Sequence, residues 1–119
     1  MRRDDGILLD ILIAARRARQ YLAGMTREEF EQSPLHQDAA EGRLIAISSL
    51  TRRLSPFFRE SHPEIPWREL AAIGNNRLVA EYFRLDVGAV WQTVLEELPP
   101  VISLLEELLP AEDKQPSHV

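Results

Sequence analysis

Apolar residues recur at steps of three and four positions along most of this 119-residue chain. That spacing is the period of an α-helix with one buried face. The first such stripe predicts a helix over about residues 4–23, and no segment sustains the alternation of a strand. We therefore expect an all-α fold, an up-and-down bundle of four to five helices with mostly antiparallel neighbours. The first stripe consists of Ile7, Leu8, Ile11, Leu12, Ala15, Ala18 and Leu22.

Local signals indicate where the first three helices begin and end. Gly24 offers the left-handed conformation that often ends a helix. Thr26, followed three positions later by Glu29, predicts a capping box at the start of a short second helix. Ser-Pro at 33–34 ends that helix, and a third helix is predicted over about residues 34–54. Its inner face is expected to carry Ala40, Leu44, Ile47, Leu50 and Leu54.

Proline and aspartate mark the remaining elements. Ser-Pro at 55–56 can start one helical turn, and Pro66 suits the first position of a fourth helix over about residues 67–83. Asp86 can cap a fifth helix, whose apolar side chains alternate four- and three-residue steps. Pro-Pro at 99–100 predicts a kink or a restart within it.

Length and composition predict one domain over residues 1–110 and a flexible polar tail over residues 111–119. With 45% hydrophobic and 28% charged residues, the chain has the composition of a globular protein. Its apolar runs fall short of the roughly 20 residues that span a bilayer, and acids and arginines interrupt its beginning. We therefore expect a cytoplasmic protein that does not bind a membrane.

Several classes of site are excluded or disfavoured by residue content. There are no cysteines, so disulfides, thiolate nucleophiles and sulfur-dependent zinc sites are excluded. His36, His62 and His118 lack the mutual spacing of a metal site. We expect neither a metal nor a cofactor.

The charge distribution leaves two interpretations open. A net charge of -5 argues against an indiscriminate nucleic-acid binder. Thirteen of the fourteen basic residues are arginines, however, and several cluster. They belong either to solvated helix faces or to a local cleft for RNA or phosphate. The clusters are Arg16, Arg17 and Arg19, then Arg52 and Arg53, then Arg68, Arg77 and Arg84.

The centre of the predicted fourth helix is unusually polar. Asn75 and Asn76 follow Gly74, and asparagine in a helix interior is unfavourable by up to about 0.7 kcal/mol relative to alanine. The pair indicates either a hydrogen-bonded kink with a new N-cap or a ligand site. Positions 75 and 80 would point about 140° apart on an ideal helix, so a kink or a second subunit would be needed to bring them together. The core-facing positions are expected to be Leu70, Ile73, Ala80 and Phe83.

The chain resembles the HepT-like branch of the HEPN proteins over about residues 2–108. The most specific segments are "HPEIPWRE" and "NRLVAEYF", supported by "RRDDGILLDILIAARRARQYLAGMTREEFEQSPLHQDA", "RRLSPFFRESHPEIPWREL" and "VWQTVLEELPPVI". The resemblance implies a small helical bundle that forms a homodimer. It also implies a metal-independent ribonuclease toxin, neutralised by a minimal nucleotidyltransferase antitoxin that transfers AMP to a tyrosine of the toxin.

The catalytic signature of that family is only partly present. Its arginine, polar, histidine and tyrosine positions correspond to Asn75, Asn76, Ala80 and Tyr82, so the arginine and the histidine are both replaced. Tyr82 is either a structural residue or, as the resemblance implies, the AMP acceptor. A second departure lies at 48–49, where two serines replace the glycine and acid of relatives.

These replacements remove the groups that cleavage requires. Imidazole is the side chain suited to moving a proton near neutral pH, whereas Ala80 offers a methyl group. Asn75 offers a neutral amide where the phosphate needs a cation. Arg77 is a candidate RNA or phosphate contact and a candidate substitute cation, but it lies on another side of the helix from position 75. The sequence does not place His36 or His62 at this site.

We therefore expect a HepT-like ribonuclease subunit that is inactive or strongly impaired, through natural degeneration or deliberate disablement. The alternative is a non-catalytic helical dimerisation module that binds a nucleotidyltransferase partner. A third interpretation is an unrelated bundle in which the Asn-Asn pair only kinks a helix.

Overall fold

The structure is a computed structural model that describes residues 2–73 and 86–109. All regular secondary structure within these ranges is helical, which confirms the predicted all-α class. Within these ranges, every helix falls short of the length and apolar character that a membrane span requires. In chain order the elements are α1 (Arg2–Tyr21), α2 (Arg27–Glu31), α3 (Pro34–Arg53), α4 (Pro56–Ser61), α5 (Trp67–Ala72), α6 (Val87–Gln92), a π-helical turn (Thr93–Glu97) and α7 (Leu98–Leu108).

The early helix ends follow the predicted capping chemistry. Gly24 has a φ of +76°, the left-handed conformation that an L side chain rarely adopts. The Thr26 hydroxyl accepts from the Glu29 N–H at 3.1 Å, and the Thr26 N–H donates to Glu29 Oε1 at 2.8 Å, which completes the capping box. Ser33 caps α3, whose first residue is Pro34. Helix α1 begins and ends two residues earlier than the hydrophobic pattern predicted, an error usual for helix ends.

The fourth predicted helix begins at Trp67, the start of its predicted range, and is described only in part. Pro66 was predicted at the first helical position, but its ψ of 70° is not helical, and it occupies the cap before Trp67. Helix α5 then runs to Ala72. Leu70 and Ile73 are buried, as their positions predicted. The rest of that predicted helix, residues 74–83, lies outside the described residues, as does the predicted tail from residue 111 to the C-terminus.

The prolines at 99–100 disturb the last helix as predicted. Asp86 caps α6, with its Oδ1 accepting from the Ala89 N–H at 3.0 Å. The backbone then widens into the π-helical turn, in which the Leu98 N–H donates to the Thr93 carbonyl five residues earlier. Prolines have no N–H to give to carbonyls four residues back, so the regular ladder cannot continue into Pro99. The helix restarts at Leu98 as α7.

The core lies along the buried face of α1. Helix α1 packs mainly against α3, and it also contacts α7 and the π-helical turn. The predicted inner face of α3 is buried except at Leu50, which is partly exposed. A ring contact between Phe30 and Trp91, with centroids 5.5 Å apart, joins α2 to α6. The largest fully buried side chains are Phe30, Leu8, Ile11, Leu12, Leu22, Leu44, Ile47, Leu54, Leu98, Leu105 and Val90.

A buried carboxylate joins the start of α1 to the start of α4. Asp4 is 1% exposed, and its two oxygens accept from the Ser55 N–H at 3.0 Å and the Ser55 hydroxyl at 2.8 Å. The Ser55 hydroxyl in turn accepts from the Phe58 N–H at 3.1 Å and caps α4. The backbone hydrogen bond from Ser55 is the main reason that the pKa of Asp4 lies below its usual value, and burial opposes the shift. The position of α4 therefore depends on a charged side chain of α1.

We predict that Asp4→Asn destabilises the fold in a pH-dependent way. At pH 7 the variant should lose about 1–3 kcal/mol of unfolding free energy, the typical contribution of hydrogen bonds to a charged group. Because the pKa of Asp4 is lowered from 3.8, its stabilising effect is present above that value and is lost as the pH falls through the lower folded pKa.

Urea denaturation at pH 7 and at pH 3 measures this effect. The difference in unfolding free energy between the unaltered chain and Asp4→Asn should be smaller at pH 3 than at pH 7. Asp10→Asn, an exposed change on the same helix, is the matched control and should have little effect. A difference in unfolding free energy that does not change with pH would contradict the role assigned to Asp4. An equal loss of stability in Asp10→Asn would contradict it as well.

Candidate functional site

Two side chains of α3 hold the end of α5. Ser48 and Arg52 lie one helical turn apart, and both donate to the backbone carbonyl of Ala71, Arg52 through Nη2 at 2.7 Å. A cation at the C-terminal end of a helix also interacts favourably with the helix dipole. The end of α5, two residues before residue 74, is thereby fixed to α3.

The two serines at 48–49, where the family resemblance implies a glycine and an acid, have different surroundings. Ser48 is 2% exposed and makes the buried hydrogen bond to Ala71, whereas Ser49 is exposed. The sequence analysis singled out these two positions and missed the role of Ser48. No local signal could have revealed that role, because Ala71 lies 23 positions away in sequence.

An arginine-lined cleft opens beside this anchor. Arg52 of α3, Arg59 of α4 and Arg68 of α5 line a cavity of about 570 Å³, together with Trp67 and Ala72. We call it the arginine cleft. Among its described lining residues one acidic side chain, Glu60, accompanies the three guanidinium groups. These arginines form no ion pair with any residue that the structure describes. The cleft is therefore a local positive site on an acidic chain.

Arg59 is the least solvated of the three arginines. Its Nε is buried and has no hydrogen-bond partner within residues 2–73 and 86–109. A buried donor without a partner costs about 1–3 kcal/mol, and charged groups cost more. Arg52 and Arg68 are exposed, so their remaining N–H groups are accessible to a ligand. Guanidinium groups match the planar, bidentate geometry of phosphate and carboxylate oxygens.

Aromatic packing holds α4 and α5 around the cleft. Trp67 is 8% exposed, and its Nε1 donates to the His62 carbonyl at 2.9 Å. The Phe58 ring lies 6.0 Å from the Trp67 ring and 4.7 Å from the His62 ring, centroid to centroid. These contacts join the two helices that carry Arg59 and Arg68.

Neither described histidine lines the cleft. The His62 ring packs on Phe58, and its Nδ1 lies 3.8 Å from Glu64 Oε2. His36 lies near the start of α3, where its Nδ1 is 2.6 Å from the Ser33 hydroxyl. Sixteen residues of helix separate His36 from Arg52, which corresponds to about 24 Å along the axis. Within the described residues no group of three His, Cys, Asp or Glu could hold a metal ion.

The predicted site residues all lie outside the described residues, so their roles stay predictions. The relation of the site to the cleft is given by chain connectivity: Asn75 follows Ala72 by three residues, a length of chain that spans at most about 11 Å. The positions predicted to be catalytic thus begin within a few residues of the cleft lining. The residues concerned are Asn75, Asn76, Arg77, Ala80 and Tyr82.

We predict that Ser48→Ala weakens the anchor between α3 and α5. It removes a buried hydroxyl donor while Arg52 still reaches the Ala71 carbonyl, so the loss should be about 1 kcal/mol of unfolding free energy. Ser49→Ala is the matched control, because the same change at an exposed neighbour should stay within about 0.5 kcal/mol of the unaltered chain. Urea denaturation of both variants measures the difference. Equal stabilities of the two variants would show that Ser48 has no anchoring role.

Comparisons with known proteins show which family this chain is similar to. A family model described as "Ribonuclease HepT-like" matches residues 11–108. The chain is 32% identical over 89 residues to "Putative RNase TTE0752" of Caldanaerobacter subterraneus subsp. tengcongensis, covering 75% of this chain and 79% of that protein. It is 32% identical over 101 residues to "Probable ribonuclease HepT" of Thermococcus cleftensis, covering 85% of this chain and 91% of that protein.

A further relative is longer than this chain. "Gamma-glutamylcyclotransferase and putative RNase MJ0434" of Methanocaldococcus jannaschii is 32% identical over 113 residues, which cover 91% of this chain and 50% of that protein. No solved structure gave a significant match. The family match spans most of the chain, including α3, α4 and α5, which line the arginine cleft. The chain belongs to the ribonuclease HepT-like family.

Proposed function

We propose that this chain is a HepT-like ribonuclease toxin subunit of a toxin–antitoxin pair, and that its RNA-cleaving chemistry is absent or strongly impaired. One observation carries the proposal. The chain has the fold of a ribonuclease family and a cleft lined by three arginines, but no imidazole is among the described lining residues. Ala80 stands where the family resemblance puts a histidine.

The chemistry of RNA cleavage without a metal explains why Ala80 matters. The 2′-hydroxyl must lose a proton as it attacks the phosphorus, and the leaving oxygen must gain one. Loss of the acid or base typically costs about 100- to 10,000-fold in rate. The phosphate also gains charge, which a cation stabilises and the neutral amide of Asn75 does not. Arg77 is the nearest candidate cation in sequence, and the described histidines, His36 and His62, pack elsewhere.

The partners of the proposed subunit follow from the family resemblance. It acts in the cytoplasm as a homodimer with a nucleotidyltransferase antitoxin, and Tyr82 accepts AMP from that antitoxin. Support for a protein partner comes from apolar side chains that the described residues leave uncovered. Leu35 and Phe57 are each 75% exposed, and Ile45 is 46% exposed.

The same exposed side chains favour a second candidate function. A non-catalytic helical module would keep surfaces for dimerisation and for the nucleotidyltransferase and would cut RNA in no form of the protein. The two candidates differ in what happens when the missing groups are restored. An impaired enzyme regains cleavage, whereas an interaction module does not.

We predict that Asn75→Arg and Ala80→His together raise the rate of RNA cleavage by about 100- to 10,000-fold. Ala80→His alone should restore part of that rate, because it supplies the proton-transfer group. Cleavage of a fluorescent single-stranded RNA, followed on a gel with chelator present, measures the rate.

Ala80→Gln is the matched control, since it adds a polar side chain that does not titrate near neutral pH. It should leave the rate unchanged. Cleavage by the unaltered chain as fast as by the double variant would contradict the proposed impairment. A folded double variant that cuts no RNA would favour the interaction module.

A further inference from the structure

We propose that the arginine cleft binds the phosphate groups of single-stranded RNA, so that the chain holds RNA that it does not cut. This inference rests on the proposed function in one respect, because the family supplies RNA as the relevant polyanion. The site itself is argued from Arg52, Arg59 and Arg68.

The charge of the cleft differs from that of the whole chain. The net charge is -5, yet three guanidinium groups and one carboxylate, that of Glu60, line this cavity. Like charges brought together without ion-pair partners repel one another, so such a cluster is unfavourable until an anion neutralises it. The three arginines come from three helices, so their convergence results from tertiary packing and not from a run of basic residues.

Arg59 and Arg52 indicate that the site is built for an acceptor. Arg59 lines the cleft, its Nε is buried without a partner in the described part of the chain, and its charge is paired with no described residue. A phosphate held by the terminal nitrogens of this guanidinium group would neutralise that charge. Arg52 uses Nη2 for the Ala71 carbonyl, which orients the guanidinium group and leaves other N–H donors for a ligand. Solvated helix faces, the other interpretation of these arginines, do not account for a buried unpartnered donor.

The contacts available in the cleft favour backbone recognition. Trp67 is 8% exposed and its indole N–H is already bonded, so its ring offers little surface for stacking a base. Guanidinium contacts to phosphate position a strand without reading its bases. We therefore expect binding that depends weakly on RNA sequence and strongly on salt. The family's catalytic positions begin three residues beyond Ala72, which lines the cleft, so the bound strand passes close to them.

The test measures binding to an RNA that cannot be cleaved. A fluorescent 2′-O-methyl single-stranded oligonucleotide keeps every phosphate and blocks attack by the 2′-oxygen, so anisotropy reports binding alone. The test variant is Arg59→Gln with Arg68→Gln in the full chain, which leaves the anchoring Arg52 intact. Arg17→Gln with Arg19→Gln, two exposed arginines of α1, is the matched control with the same change in net charge.

The cleft variant should bind at least about tenfold more weakly at physiological salt. The slope of log affinity against log salt should fall by about 1.4, since each phosphate contact on a single strand contributes about 0.7. The control should keep both values close to those of the unaltered chain. Arg68→Gln alone should lose affinity for the oligonucleotide to an intermediate extent. Because Arg68 is exposed, this single variant keeps the test valid if the double variant unfolds.

Equal losses in the cleft and control variants, or no loss in the cleft variants, would overturn the inference. Failure of the unaltered chain to bind the oligonucleotide would overturn it as well and would favour an acidic protein as the occupant. Cleavage of unmodified RNA is scored separately. Cutting by the unaltered chain would contradict the proposed impairment and would leave the assignment of the cleft standing.

Discussion

The carbonyl of Ala71 is the point on which the candidate site depends. Helix α5 has six residues, too few to be stable alone, and its end is held because Ser48 and Arg52 of α3 both donate to this carbonyl. Helix α3 is in turn packed along α1, and Asp4 of α1 bonds the cap of α4. The three arginines of the cleft are carried by α3, α4 and α5. The distances between these arginines therefore depend on the packing of the whole bundle. A substitution that moves α1 or α3 would shift the arginines through these few hydrogen bonds.

Features set by neighbours in sequence could be predicted, and those set by distant packing could not. The capping box at Thr26, the left-handed Gly24, the cap at Asp86 and the break before Pro99 all follow from local backbone chemistry. The buried faces of α1 and α3 follow from helical periodicity. Pro66 was misplaced by one residue because both the cap and the first helical position tolerate a missing N–H.

The sequence alone could not decide between solvated helix faces and a phosphate cleft for these arginines, for a related reason. Arg52 and Arg68 belonged to recognisable clusters, but Arg59 did not, and only the packing of α4 against α5 through Phe58 and Trp67 brings it beside them. In the proposed account, binding and cleavage are separable. The arginine cleft would bind phosphate, whereas Asn75 and Ala80, at the positions predicted to be catalytic, lack side chains that could stabilise charge and transfer a proton. A ribonuclease fold that lacks these side chains is suited to binding RNA or a protein partner without cleaving RNA.

The central claim is that RNA lies in the arginine cleft with no proton-transferring group at the reacting oxygen. A crystal structure of the chain with a 2′-O-methyl oligonucleotide tests it most directly, through the distances from each 2′-oxygen to the nearest imidazole nitrogen. The account predicts phosphates in contact with Arg59 and Arg68 and no imidazole within about 3.2 Å of a 2′-oxygen. RNA bound elsewhere, or a histidine of either subunit within that distance, would contradict it.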